Sequence, residues 1–186
     1  MAESTISSRV FSQLFWSRKD KNFDLNADFT FDEEKGEVDA LHTIPGFYEG
    51  APSKVHGGIL AAVLDECQGA LCYHLGHFVM TDQLNMSYRK ATPVDTELRV
   101  RAWITAARKK KLYTQALIED AQSGETYVTS HARWYLFPLK VLNRFMTYPE
   151  DDWRRMTEIM QANRKRGRGI RLNYRKNPDL LKEPRL

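Results

Sequence analysis

One stretch decides the fold: residues 55–73, which read VHGGILAAVLDECQGALCY. After the HGG triplet, six apolar residues in a row leave no polar face. The length of the stretch and its Ala and Leu content favour a helix over a strand, and a helix that is apolar all round must be buried. We therefore predict a helix from Gly58 to about Tyr73 at the centre of the protein.

Segments with the alternating pattern of half-buried strands lie on both sides of this helix. Two strands are predicted over residues 22–44, and three strand-like segments follow the helix at 77–89, 97–107 and 112–136. A turn at 120–125 divides the last segment into two strands. The order β–β–α–β–β–β–β predicts an α+β architecture with one buried helix against an antiparallel sheet.

The two ends of the chain differ from this body. Residues 1–21 carry apolar residues at helical spacing and predict an amphipathic helix, residues 22–137 form the α+β domain, and residues 138–186 hold a second helix and a basic tail. A capping box at 147–150 predicts that this second helix runs for about four turns, over 149–163.

Composition limits the class of protein. The 186 residues, 42% of them apolar, suit a single domain with terminal extensions. No stretch approaches the roughly 18 apolar residues of a membrane span, and the N-terminal segment lacks the apolar region of a signal peptide. Cys67 and Cys72 match neither a CxxC nor a zinc pattern and are interpreted as buried thiols. These features predict a cytoplasmic protein without a transmembrane segment.

The net charge of +4 comes from the C-terminal end. Residues 140–186 hold thirteen Lys or Arg and six Asp or Glu, a net +7, so the first 139 residues carry −3. The basic run at 164–168 lacks the interleaved aromatic residues of a single-strand binding groove. We therefore expect no nucleic-acid partner, and contact of this run with RNA or an anionic membrane stays an alternative to a solvated surface.

The start of the central helix and the acid inside it are the candidate catalytic groups. Gly57 and Gly58 let the backbone approach a ligand closely, and N–H groups at a helix start stabilise a carbonyl oxygen that gains negative charge. His56 either contacts the ligand or caps the helix. Asp65 lies in the most apolar stretch, where burial raises the pKa of a carboxyl, and Glu66 is the alternative acid about 100° round the helix.

The spacing of these groups restricts how they cooperate. Asp65 lies about 10 Å along the helix axis from Gly58, so one carbonyl group cannot hydrogen-bond to both. Either the acid acts elsewhere, or the helix of a second copy lies antiparallel alongside and supplies Asp65. A two-fold dimer would contain two such composite sites.

The helix segment at 55–66, VHGGILAAVLDE, resembles the central-helix motif of hotdog-fold acyl-CoA thioesterases, in particular the phenylacetate-pathway and THEM-type branch. The segments TDQLNMSYR (81–89) and ATPV (91–94) resemble the strand and turn that follow this helix, and HARW (131–134) fits a later strand. The resemblance covers roughly residues 22–137.

The resemblance implies a hotdog fold, in which an antiparallel sheet wraps around the helix and two subunits pair their sheets edge to edge. It implies hydrolysis of an acyl-CoA thioester by a homodimer, or a dimer of dimers, without a metal or redox cofactor. Asp65 would be the general base or nucleophile. The N–H of Gly57 or Gly58 would polarise the thioester carbonyl, His56 would help to position it, and Thr81 would orient the attacking water.

Further residues are candidates for binding the substrate. Phe47 and Tyr48 are aromatic residues in the loop before the helix and are candidates to line the acyl pocket. Arg108, Lys109 and Lys110 lie at the predicted tip of a hairpin. They are either solvated or bind the phosphates of coenzyme A.

Three alternatives stay open. Relatives often carry Asn or Gln six residues before the His, where this chain has Gly50, and the missing side chain suits a protein that binds acyl-CoA without hydrolysing it. A non-hydrolytic biosynthetic enzyme is the second alternative, but Ala70 follows Asp65 where the hydratase branch has His. The third is a metal at His74 and His77, for which no further ligands are evident.

Overall fold

The computed structural model describes residues 29–33, 35–138, 141 and 150–167. Their elements are the strands β1 (Thr30–Asp32), β2 (Glu37–Thr43), β3 (Glu49–Ala51), β4 (Lys54–Val55), β5 (Val79–Tyr88), β6 (Glu97–Arg108), β7 (Lys111–Asp120) and β8 (Thr126–Leu136), and the helices α1 (Gly57–His74) and α2 (Glu150–Gly167). The amphipathic helix predicted over 1–21 and the capping residues 147–149 lie outside the described residues. No helix in the described part of the chain is both long and apolar enough to cross a membrane.

Six strands form one antiparallel sheet, in the order β1-β2-β6-β7-β8-β5. Helix α1 lies against one face of this sheet, and the core forms between them. Leu64 and Leu71 of α1 are fully buried there, as are Val100 of β6 and Ile118 of β7. The α+β architecture predicted from the sequence is confirmed.

Strand β5 forms one edge of the sheet, and β8 is its neighbour among the described strands. Its pairing with β8 shifts between Thr81 and Gln83, which is the mark of a β-bulge at Asp82. Because of the bulge, Thr81 and Leu84 both face α1, although they lie an odd number of residues apart.

The boundaries of the central elements agree with the sequence to within two or three residues, and two regions differ. The loop predicted over 45–53 contains a 3₁₀ turn at Gly46–Tyr48 and the short hairpin β3–β4, whose turn uses a left-handed Ser53. Helix α2 continues to Gly167, beyond the predicted end at 163. Its last turn is basic, which favours continuation because cations there interact with the helix dipole.

A buried hydrogen-bond network joins α1 to the centre of the sheet. The amide nitrogen of Gln68 donates to the carbonyl of Leu64 (3.0 Å) and to Ser130 Oγ (2.9 Å). Its amide oxygen accepts from Thr114 Oγ1 (2.6 Å), and Thr114 in turn accepts from the indole N–H of Trp134 (2.7 Å). The network satisfies a fully buried amide and fixes both the rotation of α1 and its position along its axis.

Helix α2 packs on the C-terminal end of α1. Phe78, Met156 and Met160 form a separate apolar cluster, with Trp153 packed against it. The Asn163 side chain donates to the carbonyl of Tyr73 (2.9 Å). Gly76 permits the close approach, because a Cβ there would lie 2.4 Å from the Arg164 nitrogen.

We expect Gly76→Ala to weaken the protein more than Gly124→Ala. Both glycines have a left-handed backbone, with φ of 74° and 72°, so each alanine carries a strain of about 1–2 kcal/mol. Only the Gly76 Cβ meets α2, since nothing lies within 4 Å of a Cβ at Gly124. Overpacking adds about 1–3 kcal/mol to the cost at Gly76. Urea denaturation measures both variants, and equal losses would show that α2 does not need this contact.

Candidate functional site

Asp65 and Thr81 lie together where α1 crosses the edge of the sheet. The Thr81 hydroxyl donates to Asp65 Oδ1 at 3.0 Å, and the carboxyl is half-buried. Burial raises the pKa of Asp65 above its ordinary value, while the hydrogen bond from Thr81 partly offsets the rise. The site therefore holds a desolvated carboxylate whose orientation is set by a hydroxyl group, which suits it to accept a proton or attack an electrophile.

Asp82, which follows Thr81 on β5, is a carboxylate surrounded by cations. Asp82 accepts from the Arg133 guanidinium at 2.5 Å and lies 3.5 Å from the Lys111 ammonium. The hydrogen bond from Arg133 is the main reason that the pKa of Asp82 is lowered. Asp82 is thus an ion-paired carboxylate, whereas the partner of Asp65 is a hydroxyl group and no ion pair of Asp65 occurs within the described residues.

His56 and the two glycines form the start of α1. His56 is the N-cap, and its Nδ1 accepts from the N–H of Gly58 at 3.0 Å. The capping interpretation of His56 is thus confirmed, and the Gly58 N–H already has a partner. The N–H of Gly57 has no hydrogen-bond partner within the described residues. It is a first-turn N–H, at the positive end of the helix dipole.

Tyr88, which the sequence analysis did not single out, contacts the start of α1. Its hydroxyl donates to the carbonyl of Gly57 at 2.9 Å, and its ring would be 3.5 Å from a Cβ at that glycine. The side chain is 52% exposed, which leaves it accessible to a ligand or a second chain. In the sequence, Tyr88 could have been singled out only because it lies in the segment 81–89 that resembles the thioesterases. The contact of its side chain with the helix start is visible only in the tertiary structure.

Gly50 packs against the N-cap. A Cβ at Gly50 would lie 2.9 Å from both Cα and Cδ2 of His56, closer than real Cβ contacts allow. The glycine that departs from the thioesterase pattern is therefore required by the present position of His56. Glu66, the alternative acid, is half-buried on α1, and the Thr81 hydroxyl bonds to Asp65.

The remaining predicted site residues lie in two other places, the 3₁₀ turn before α1 and the β6–β7 hairpin. Phe47 is 77% exposed, and Tyr48 beside it is buried in the core. Arg108, Lys109 and Lys110 are exposed at the tip of the β6–β7 hairpin, as predicted. Lys109 and Lys110 line the same groove as Gly76 and His77, which follow the C-terminal end of α1.

The described residues contain no group of three or more His, Cys, Asp or Glu placed to share a metal ion. His74 stacks on Phe31, with ring centroids 5.3 Å apart. Burial and the neighbouring Arg164 charge lower the pKa of His77. Cys67 and Cys72 are buried free thiols whose pKa values burial raises.

Comparison with known proteins relates part of this chain to thioesterases. Residues 53–127 match the family model of the thioesterase superfamily. The acyl-coenzyme A thioesterase THEM5 of Mus musculus is 31% identical over 87 residues, which are 46% of this chain and 35% of the mouse protein. The chain thus matches about a third of the length of this relative.

Solved structures share the fold. A hypothetical thioesterase of Streptococcus pneumoniae, solved with coenzyme A, has a TM-score of 0.55 and 19% identity over 60% of this chain and 88% of that one. The PaaI protein of the Escherichia coli phenylacetic acid degradation operon has a TM-score of 0.56 and 15% identity, covering 61% and 81% of the two chains. The predicted hotdog fold and the resemblance to the thioesterase superfamily and its THEM-type members are confirmed, and the likeness to the phenylacetate-pathway protein is one of fold.

We expect Asp65→Asn to be more stable than the native chain at neutral pH. The folded pKa of Asp65 is raised, so its ionised form costs stability, and this cost disappears as pH falls below its unfolded pKa. Asp82→Asn is the matched control with the opposite sign, because the lowered pKa of Asp82 contributes stability at neutral pH that is lost in acid. Urea denaturation at pH 7 and near pH 3 measures both differences. A destabilised Asp65→Asn at pH 7 would contradict the assignment of a desolvated carboxylate.

Proposed function

We propose that this protein hydrolyses an acyl-CoA thioester at a site formed by two copies of the chain. The observation that carries the proposal is the half-buried Asp65 carboxylate of α1. It accepts a hydrogen bond at 3.0 Å from Thr81, which lies on the edge strand β5 of a thioesterase fold. Support for the acyl-CoA substrate comes from the mouse THEM5 relative and from the coenzyme A in the Streptococcus pneumoniae structure.

Asp65 acts on the thioester carbon in one of two ways. As a general base it takes a proton from water while the water oxygen attacks the carbon. The C–S bond then breaks, and Asp65 returns the proton to the departing sulfur, which leaves as the thiol. As a nucleophile it attacks the carbon itself, releases the thiol and is freed when water hydrolyses the resulting anhydride. In either case Thr81 holds one carboxylate oxygen and leaves the other for the reaction.

The N–H of Gly57 is the proposed donor to the thioester oxygen. The N–H of Gly58 already donates to His56, so Gly57 provides the N–H group that can turn to a ligand. The helix dipole adds to the stabilisation of negative charge at this end of α1. In this proposal His56 and Tyr88 are positioning residues, one capping the helix and the other holding the carbonyl of Gly57.

A second copy is needed because Gly57 and Asp65 of one helix lie about 12 Å apart along the axis. Antiparallel pairing of two β5 edges about a two-fold axis near Leu84 and Asn85 would put Thr81 roughly opposite the partner's Tyr88. Since Thr81 contacts Asp65 and Tyr88 contacts Gly57, the pairing would bring Asp65 of one copy to Gly57 of the other. The position of β5 at the edge of the sheet, as formed by the described strands, supports this arrangement.

Other groups are assigned to substrate contacts as part of the proposal. Phe47 is exposed and precedes Tyr48, whose carbonyl accepts from the His56 N–H at 2.9 Å. The Phe47 side chain therefore lies close in sequence to a residue that bonds to the helix start, and it is the proposed contact for the acyl group. The cationic hairpin tip is suited to an anionic part of the ligand. The buried free cysteines fit a reducing compartment, and we propose a cytoplasmic location.

We expect Asp65→Asn to lower thioester hydrolysis at least about 100-fold, equivalent to about 2.7 kcal/mol of barrier. The measurement is thiol release from short-chain, long-chain and aryl acyl-CoAs. Asp82→Asn is the control. It removes the carboxylate of the residue that follows Thr81 on β5, and that carboxylate pairs with Arg133 and Lys111 rather than with Thr81. Unchanged activity in Asp65→Asn would rule out its role and direct attention to Glu66. Tight binding with no turnover in the native protein would identify a binding protein.

We expect two inactive variants to restore activity when they are co-expressed. Gly57→Pro removes the proposed donor at a first helical position, where proline is tolerated, and the preceding His56 already has an extended backbone. In a heterodimer of Gly57→Pro with Asp65→Asn, one of the two sites would have both native groups. Random pairing would then give about a quarter of native activity. No recovery in verified heterodimers would place both groups in one chain.

A further inference from the structure

A groove lies between α2 and the body of the protein, and the proposed reacting groups, Asp65 and Gly57, are not among the residues that line it. Its volume is about 720 Å³, within the range of small-molecule sites. Its walls come from the segment after α1, the β6–β7 hairpin, the end of β8 and helix α2. The apolar lining includes Phe78, Leu136, Phe137, Trp153 and Met160.

The charged groups of the groove have one sign. Lys109, Lys110 and Arg164 line it, and none of its described lining residues is Asp or Glu. Within the described residues these three cations form no ion pair. His77 in the wall has a pKa lowered by burial and by Arg164, so it adds no charge at neutral pH but can hydrogen-bond.

The groove is separate from the Asp65 site. Gly76 in its wall follows Asp65 by eleven residues, which is about 16 Å along a helix axis. The wall formed by α2 lies outside the segment 53–127 that matches the thioesterase superfamily. The groove is therefore formed by residues of the matched segment together with a helix that lies outside it.

We propose that this groove binds an amphipathic anion: an apolar chain or ring system that carries one carboxylate or phosphate. The apolar lining would bury the chain, at about 25 cal/mol per Å² of area removed from water. The two lysines and Arg164 would bind the anionic head through charge-assisted hydrogen bonds. A free alkyl carboxylate and the ester of a larger phosphate compound share this chemistry. The proposal does not depend on thioester hydrolysis.

The probes are dodecanoate, dodecyl phosphate, dodecyltrimethylammonium and coenzyme A, each titrated into the full chain by calorimetry. We expect both dodecyl anions to bind and the matched cation to bind at least about tenfold more weakly, because the groove attracts negative charge. Coenzyme A alone is expected to bind weakly, since it lacks the dodecyl chain. Binding of the cation or of coenzyme A as tight as that of dodecanoate would overturn the proposal.

The variants test the location. The single variant Arg164→Glu should weaken dodecanoate binding at least about tenfold. The double variant that combines Lys109→Glu and Lys110→Glu should do the same. Lys165→Glu makes the same charge change on the next residue of α2, outside the groove, and should leave the affinity within about twofold. Equal effects of Arg164→Glu and Lys165→Glu would show that dodecanoate responds only to the overall charge of α2. That result would overturn the proposed site.

Two further measurements separate this site from the proposed active site. Dodecanoate should change the tryptophan fluorescence of the native chain, and the change should be lost in Trp153→Phe, because Trp153 lines the groove. Binding should persist in Asp65→Asn. Loss of binding in Asp65→Asn with an unchanged signal in Trp153→Phe would assign dodecanoate to the Asp65 site instead. Neither result depends on whether the protein hydrolyses thioesters.

Discussion

The hydrogen bonds of one buried side chain, Gln68, determine where the central helix lies on its sheet. An apolar helix on an apolar sheet can rotate or slide with little change in buried area, but a fully buried amide must keep its partners. Gln68 meets this requirement through Ser130 and Thr114 on two neighbouring strands. Asp65 lies one turn earlier on the same helix, so the network that satisfies Gln68 also delivers Asp65 to the edge strand.

The edge strand then connects the two chemically distinct ends of the helix. Thr81 near its start bonds to Asp65, and Tyr88 at its end bonds to Gly57. A helix of this length separates its N-terminal N–H groups from an acid eight residues later, and a two-fold axis through the edge strand is the simplest way to join them. The helix–strand contacts within one chain thus define the composite site proposed for the dimer.

Helix α2 adds a groove to the fold. Gly76 and Asn163 bring α2 against the end of α1, and the apolar groove with its cationic rim exists only because that contact is made. The chain thereby places a desolvated carboxylate at the edge of the sheet and, at the far end of the helix, a cluster of cations that form no ion pair within the described part of the chain. A thioester group is proposed as the ligand of the first place and an amphipathic anion as the ligand of the second.

The sequence by itself determined the buried helix, the order of the strands and the candidate groups at 56–58 and 65, because apolar periodicity and residue spacing are local properties of a chain. It also predicted that one helix cannot bring Gly58 and Asp65 to the same carbonyl. Only the tertiary structure decided that the Gly58 N–H is used by His56, that Tyr88 joins the helix start, and that Thr81 faces Asp65. The last depends on the bulge at Asp82, which changes the faces to which the residues of β5 point, and such register shifts arise from long-range pairing rather than from local sequence.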